Sequence, residues 1–146
     1  MNLNDNIYLK VASLISKNSF CLRRKVGAVI VKDDNICFGA CNGSTSVCQK
    51  CVRKENNIKS GTLHEICNGV HAERRLLEFT ISHSIETTGA IIYCTHSPCR
   101  ECATALIDAK IAKFIYLYEY PDVAFKSIFN KYGIIYRQIG SEENDN

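Results

Sequence analysis

The stretch Ala90-Ile91-Ile92-Tyr93-Cys94-Thr95-His96-Ser97-Pro98-Cys99-Arg100-Glu101-Cys102 decides the fold. Ala90–Thr95 is a short apolar run with the pattern of a buried strand, and Cys99 to about Ala109 carries helical spacing. Lys113–Tyr118 is the next strand, so the unit reads strand, helix, strand, which implies parallel pairing through a right-handed crossover. Outward from this unit the alternation continues, with a helix from His71 to about Ser82, another near Val123–Lys131 and a closing strand at Ile134–Arg137. Towards the N-terminus, Leu3, Ile7, Val11, Leu14 and Ile15 have the spacing of one buried stripe on a helix that runs to about Ser16. Val26–Val31 and Ile36–Cys41 flank the turn residues Asp33-Asp34-Asn35 and predict an antiparallel hairpin. The expected architecture is α/β, a mixed sheet with helices on both faces.

Length and composition fit that expectation: 146 residues suit a single domain over 1–146, and 46% hydrophobic with 23% charged residues is the balance of a globular protein. A formal charge of +3 is too small to argue for a nucleic-acid partner. Met1–Asn6 lacks the basic and apolar pattern of a secretory signal, and no apolar segment reaches membrane-spanning length, so no membrane partner and a cytoplasmic location are expected. In that reducing compartment nine cysteines point to metal ligands rather than disulfides. Residues 141–146, with Glu142, Glu143 and Asp145, read as a disordered acidic tail. From about 44 to 69 no period is sustained, and an insertion of that length needs another source of order.

The chemistry gathers in His71-Ala72-Glu73 and Pro98-Cys99-Arg100-Glu101-Cys102, each opening a predicted helix. His71, Cys99 and Cys102 supply one imidazole and two thiolates, a soft set suited to Zn²⁺. Three protein ligands leave the fourth tetrahedral position open, the mark of a catalytic site. Cys99 and Cys102 are three apart and share a helix face. Glu73 follows His71 by two residues, about 200° of helical rotation, so it should point away from the imidazole towards water or substrate and act as a proton shuttle.

This arrangement resembles the cytidine and deoxycytidylate deaminase superfamily, whose zinc enzymes carry H-x-E and P-C-x-x-C in the same order. Val26–Val31, Asn42-Gly43, Gly89–Thr95 and Ile115–Tyr120 are similar to segments of its deoxycytidylate deaminases and of the competence-operon proteins of bacteria. The likeness covers about residues 7–138 and implies a three-layer α/β/α fold with a mixed five-stranded sheet. It implies zinc-dependent hydrolytic deamination of a cytosine nucleotide, dCMP to dUMP, with dCTP or a modified dCMP as further substrates. Glu73 would be catalytic, and Asn42, Ala72 and Tyr120 would lie against the substrate. Relatives assemble as dimers to hexamers, so a homo-oligomer is expected. Arg24 and Lys25, just before the first strand, are candidates for a nucleotide's phosphate. The chain departs from the family pattern at Ser44-Thr45, where members read x-Pro after Asn-Gly, and at Arg75, where they carry Asn.

Cys48-x-x-Cys51 with His64 and Cys67 forms a second ligand set that suits a structural zinc, which would order the insertion. Relatives draw one such ligand from a cysteine before the first strand, so Cys21 competes with Cys51. Cys37, Cys41 and Cys94 fall on predicted strands and read as small core residues, and His83 and His96 as non-ligands. Two other classes share the pattern: a deaminase of a nucleoside or of a base in RNA, similar to the tRNA adenosine deaminases, and a non-catalytic zinc-binding interaction module. The weak basic balance and Asn42-Gly43 favour a small substrate, and an intact Glu73 favours an enzyme.

Overall fold

The computed structural model describes residues 3–43 and 70–140. In chain order its elements are α1 (Leu3–Ser16), β1 (Gly27–Lys32), β2 (Asn35–Cys41), α2 (Ala72–Ser82), β3 (Ile91–His96), α3 (Arg100–Asp108), β4 (Lys113–Tyr118), α4 (Phe125–Tyr132) and β5 (Ile135–Gln138). The sheet order is β2-β1-β3-β4-β5. β1 runs antiparallel to both β2 and β3, while β3, β4 and β5 are parallel. The expected mixed five-stranded sheet is therefore present.

Its two faces follow from the two-residue period of a strand. Ala28, Ile30, Ile92, Cys94, Phe114 and Tyr116 pack on one side against Leu76 of α2, Leu106 of α3, and Phe125 and Phe129 of α4. Val29, Val31, Tyr93, Ile115 and Leu117 pack on the other around Leu9 of α1. β1, β3 and β4 bury both faces, which is why their sequences read as continuous apolar runs rather than alternating ones. The β1–β2 hairpin turns on Asp33 and Asp34, at φ 52° and 63°, the left-handed pair of a two-residue hairpin loop. Asn35, expected in the turn, already pairs with Lys32 as the first residue of β2.

The stripe expected on α1 is buried only in part: Val11 and Ile15 pack beside Leu9 on the sheet, while Ile7 and Leu14 do not. Leu9 and Ala12 are buried at 1% and 0% exposure, whereas Ile7 and Leu14 are 49% and 61% exposed. The C-terminal half of the helix comes too close to β1 for a side chain between them: a Cβ on Gly27 would lie 2.0 Å from the Ala12 carbonyl oxygen and 2.6 Å from the Ser16 nitrogen. Since those are backbone atoms, Gly27→Ala must separate α1 from β1. We expect it to destabilise the protein by about 1–3 kcal/mol, read as a lowered thermal midpoint; a midpoint within a degree of the parent would refute this close approach.

The N-terminal end of α1 is fixed by charge. Buried Asp5 accepts a hydrogen bond from Tyr93 Oη at 2.6 Å and pairs with Arg137 of β5. Among the described residues no helix is long and apolar enough to cross a membrane.

Candidate active site

α2 and α3 begin at the same place. His71 is the N-cap of α2, at φ −71° and ψ 150°, and Cys99 is the N-cap of α3, at φ −75° and ψ 173°. Both are extended, half outside their helices. The first turn of α3 brings Cys102 back beneath Cys99, so His71 Nδ1 lies 3.3 Å from Cys102 Sγ and 3.4 Å from Cys99 Sγ. Among the described residues these three form the one group able to hold a metal, with donor atoms all within 4.8 Å of one another. Zn–N and Zn–S bonds of about 2.0–2.3 Å at tetrahedral angles set donor separations of about 3.5–3.8 Å. The spacing and the softness of the donors both fit Zn²⁺.

The extended cap changes one expectation. The 200° rotation between His71 and Glu73 presumes that both are helical, and His71 is not. Glu73 lines the same cavity as the imidazole, 4% exposed, and accepts a hydrogen bond from Cys94 Sγ at 3.2 Å. Cys94, read from sequence as a core residue, is fully buried yet touches the carboxylate. Cys37 and Cys41 are only half-buried, because β2 is the edge of the sheet.

The charges in this cluster are interdependent. A hydrogen bond from Cys102 holds the Cys99 thiol far below the ordinary range, at about 3, with the His71 imidazole acting in the same sense. The bond to Cys99 in turn raises His71. Burial pushes the Glu73 carboxyl up, opposed by His71. Burial also drives Cys94 well above the usual thiol range, with the Glu73 charge adding to it, so Cys94 stays protonated. The site thus favours a thiolate at Cys99, and its Glu73 carboxyl keeps its proton more readily than one in water.

Above the cluster lies a cleft open to solvent. Asn42, Ala72, Arg24 and Tyr120 line it, and Lys25 does not. The Arg24 guanidinium stacks on the Tyr120 ring, 4.7 Å from its centroid. Asn42 fixes the backbone beside it: its Oδ1 accepts from Val26 N at 2.8 Å and Ser19 Oγ at 2.7 Å, and its Nδ2 donates to the Arg24 carbonyl at 2.8 Å. Arg23, His96, Ser97 and Cys21 also line the cleft and escaped notice as substrate neighbours. Burial, with Arg24 adding to it, lowers His96 to about 4, so that ring is neutral at physiological pH. The alternation of β3 was the available signal, since it sets the strand's last residues at the mouth of the first helical turn of α3.

The second ligand set, Cys48, Cys51, His64 and Cys67, lies outside the described residues; Cys21 is half-buried beside Gly43. Gly43 and Val70, on either side of that segment, form an antiparallel bridge with N–H···O distances of 2.9 and 3.2 Å. Arg75, the departure from the family's Asn, donates to the Cys41 carbonyl at 3.1 Å and to that of Gly43. It therefore secures the backbone on either side of Asn42.

Residues 3–118 match the family described as the cytidine and deoxycytidylate deaminase zinc-binding region. The chain is 28% identical over 145 residues to the deoxycytidylate deaminase of Saccharomyces cerevisiae, covering 95% of this chain and 46% of that one. It is 28% identical over 138 residues to ComE operon protein 2 of Bacillus subtilis, covering 93% and 71%. The chain thus spans less than half the length of the yeast relative. Among solved structures, the dCMP deaminase of cyanophage S-TIM5 in complex with dCMP and dUMP superposes with a TM-score of 0.80 at 29% identity, over 95% of this chain and 99% of that one.

Proposed function

The chain belongs to the cytidine and deoxycytidylate deaminase family, and from that premise we propose that it is a zinc-dependent enzyme converting dCMP to dUMP by hydrolysis. The observation that carries this reading is a His/Cys/Cys group at the floor of a solvent-open cleft, with a buried carboxylate in the same cavity. A cyanophage relative that binds dCMP and dUMP in the same fold supports the substrate.

His71, Cys99 and Cys102 would hold the zinc. Zn²⁺ in such a site acts as a Lewis acid that brings the pKa of a water down to about 7. Glu73 would take a proton from the attacking water and deliver it to the pyrimidine ring nitrogen; the remaining proton of the new hydroxyl would then pass through Glu73 to the amine, which leaves as ammonia as the carbonyl forms. One C–O bond forms and one C–N bond breaks at the same ring carbon. A carboxyl whose pKa is raised by burial suits both halves of this task, because it accepts the proton and also gives it up.

Arg24 is the group assigned to the phosphate, held by its stack on Tyr120 and by the Asn42 bond to its carbonyl. Removing one charge-assisted contact costs roughly 1.5–3 kcal/mol, so Arg24→Ala should raise KM for dCMP by about tenfold or more. Turnover of deoxycytidine, which has no phosphate, should be unmoved. An equal effect on both would take Arg24 off the phosphate.

The direct test is ammonia release from cytosine and deoxycytosine compounds at each phosphorylation level, with a tRNA stem-loop alongside. Silence on every small substrate removes this reading, and release from the stem-loop alone would move the enzyme to the RNA-base class. We also propose a second, structural zinc on Cys48, Cys51, His64 and Cys67, with Cys21 competing for the place of Cys51. Its support is the donor spacing alone, and one zinc per chain would refute it. The single-domain reading of residues 1–146, assembly as a homo-oligomer and a cytoplasmic location belong to the same proposal.

A further inference from the structure

We propose that Cys94 is a positioning residue for the deamination: its thiol, projecting from β3 beneath the cavity, donates the hydrogen bond that holds the Glu73 carboxylate in the orientation needed for proton transfer. This inference rests on the reading of Glu73 as the proton carrier.

The case begins with the sheet. β3 alternates, so Ile92 and Cys94 project towards the layer that contains α2, and Cys94 falls under the first turn of that helix, where Glu73 sits. Cys94 is wholly buried and Glu73 nearly so. A carboxylate removed from water needs donors, and the Cys94 Sγ to Glu73 Oε1 distance of 3.2 Å, with the sulfur donating, supplies one. Cys102 lies near the same carboxylate, but as a metal ligand its sulfur gives up its proton and has none to offer. Among the described residues Cys94 is then the donor that remains to Glu73 once the metal group is assembled.

Two pairs of substitutions separate the donor from the space it fills. Ser and Ala are nearly equal in size and smaller than Cys; Thr and Val are nearly equal and larger, and both suit a strand. Within each pair only the hydroxyl donor differs. With dCMP as substrate, Cys94→Ser and Cys94→Thr should keep kcat within a few-fold of the parent, while Cys94→Ala and Cys94→Val lose about tenfold in kcat. KM and zinc content should be unchanged throughout. Rates that sort by size instead of by donor, or four variants equal to the parent, would overturn the proposal.

A readout that needs no turnover keeps this apart from the question of substrate. The Cys94 S–H stretch, identified in the Raman spectrum of the zinc-loaded protein by its loss in Cys94→Ala, should move to higher frequency in Glu73→Ala as the hydrogen bond disappears. An unmoved band would sink the inference even in a fully active enzyme. A shifted band in a protein that deaminates nothing would leave the contact standing and refute the function instead.

Discussion

Glu73→Gln should reduce kcat by about 10²–10⁴-fold, the range spanned by general acid–base catalysis, while the protein keeps its full zinc content. The amide is close to the carboxylate in size and retains an oxygen to accept from Cys94, so the cavity stays filled; what disappears is the capacity to carry a proton. Burial already disfavours the charged form of this group, so a neutral replacement relieves a desolvation cost, and the thermal midpoint should be equal to or above that of the parent. Low activity with a raised or equal midpoint is the signature of a residue retained for chemistry. If the variant instead lost its zinc, Glu73 would be a ligand, and the assignment of an open coordination position would be wrong.

The second large effect concerns the metal group. Cys102→Ala removes a buried sulfur from the donor set and should lower the zinc content by one per chain, with deamination falling to background. Counting metal in this variant, rather than after chelation, isolates the site from the proposed zinc of the insertion. Stability should fall as well. Free zinc at a thousand times its Kd contributes about 4 kcal/mol of folding stability, equivalent to about 10 °C for a domain of this size. A variant that keeps both its zinc and its midpoint would show that the cluster does not bind the ion.

Much of this was legible beforehand because the deciding residues sit in patterns that do not depend on tertiary context. β1, β3 and β4 read as strands because both faces are buried, and the ligand motifs stood out because His and Cys in that spacing have few other uses. What failed depended on distance of approach or local backbone. Ile7 and Leu14 fall outside the buried face of α1, which runs through Leu9 and Ala12, because hydrophobic size alone does not reveal the close approach of Ala12 to Gly27. Glu73 lines the cleft, as a proton shuttle requires, although the rotation that predicts it counts the cap residue His71 as helical. Cys94 does pack in the core, as its pattern implies, but a one-dimensional pattern gives the face of a strand and not what lies across from it. Arg75 was visible only as a mismatch with the family, and its partners are backbone carbonyls that no side-chain pattern reveals.

That two of the three residues proposed to hold the zinc are helix caps bears on how such a site can persist while the rest of the sequence drifts. A cap residue owes nothing to the angular phase of the helix behind it, so α2 and α3 can lengthen, shorten or exchange their inner faces without turning His71 or Cys99 aside. The number of residues between the two motifs is equally unconstrained, provided that the two helix beginnings meet. Chemistry anchored at such joints tolerates divergence along the rods, so the corner where the two helices begin can keep its shape while the sequence around it changes.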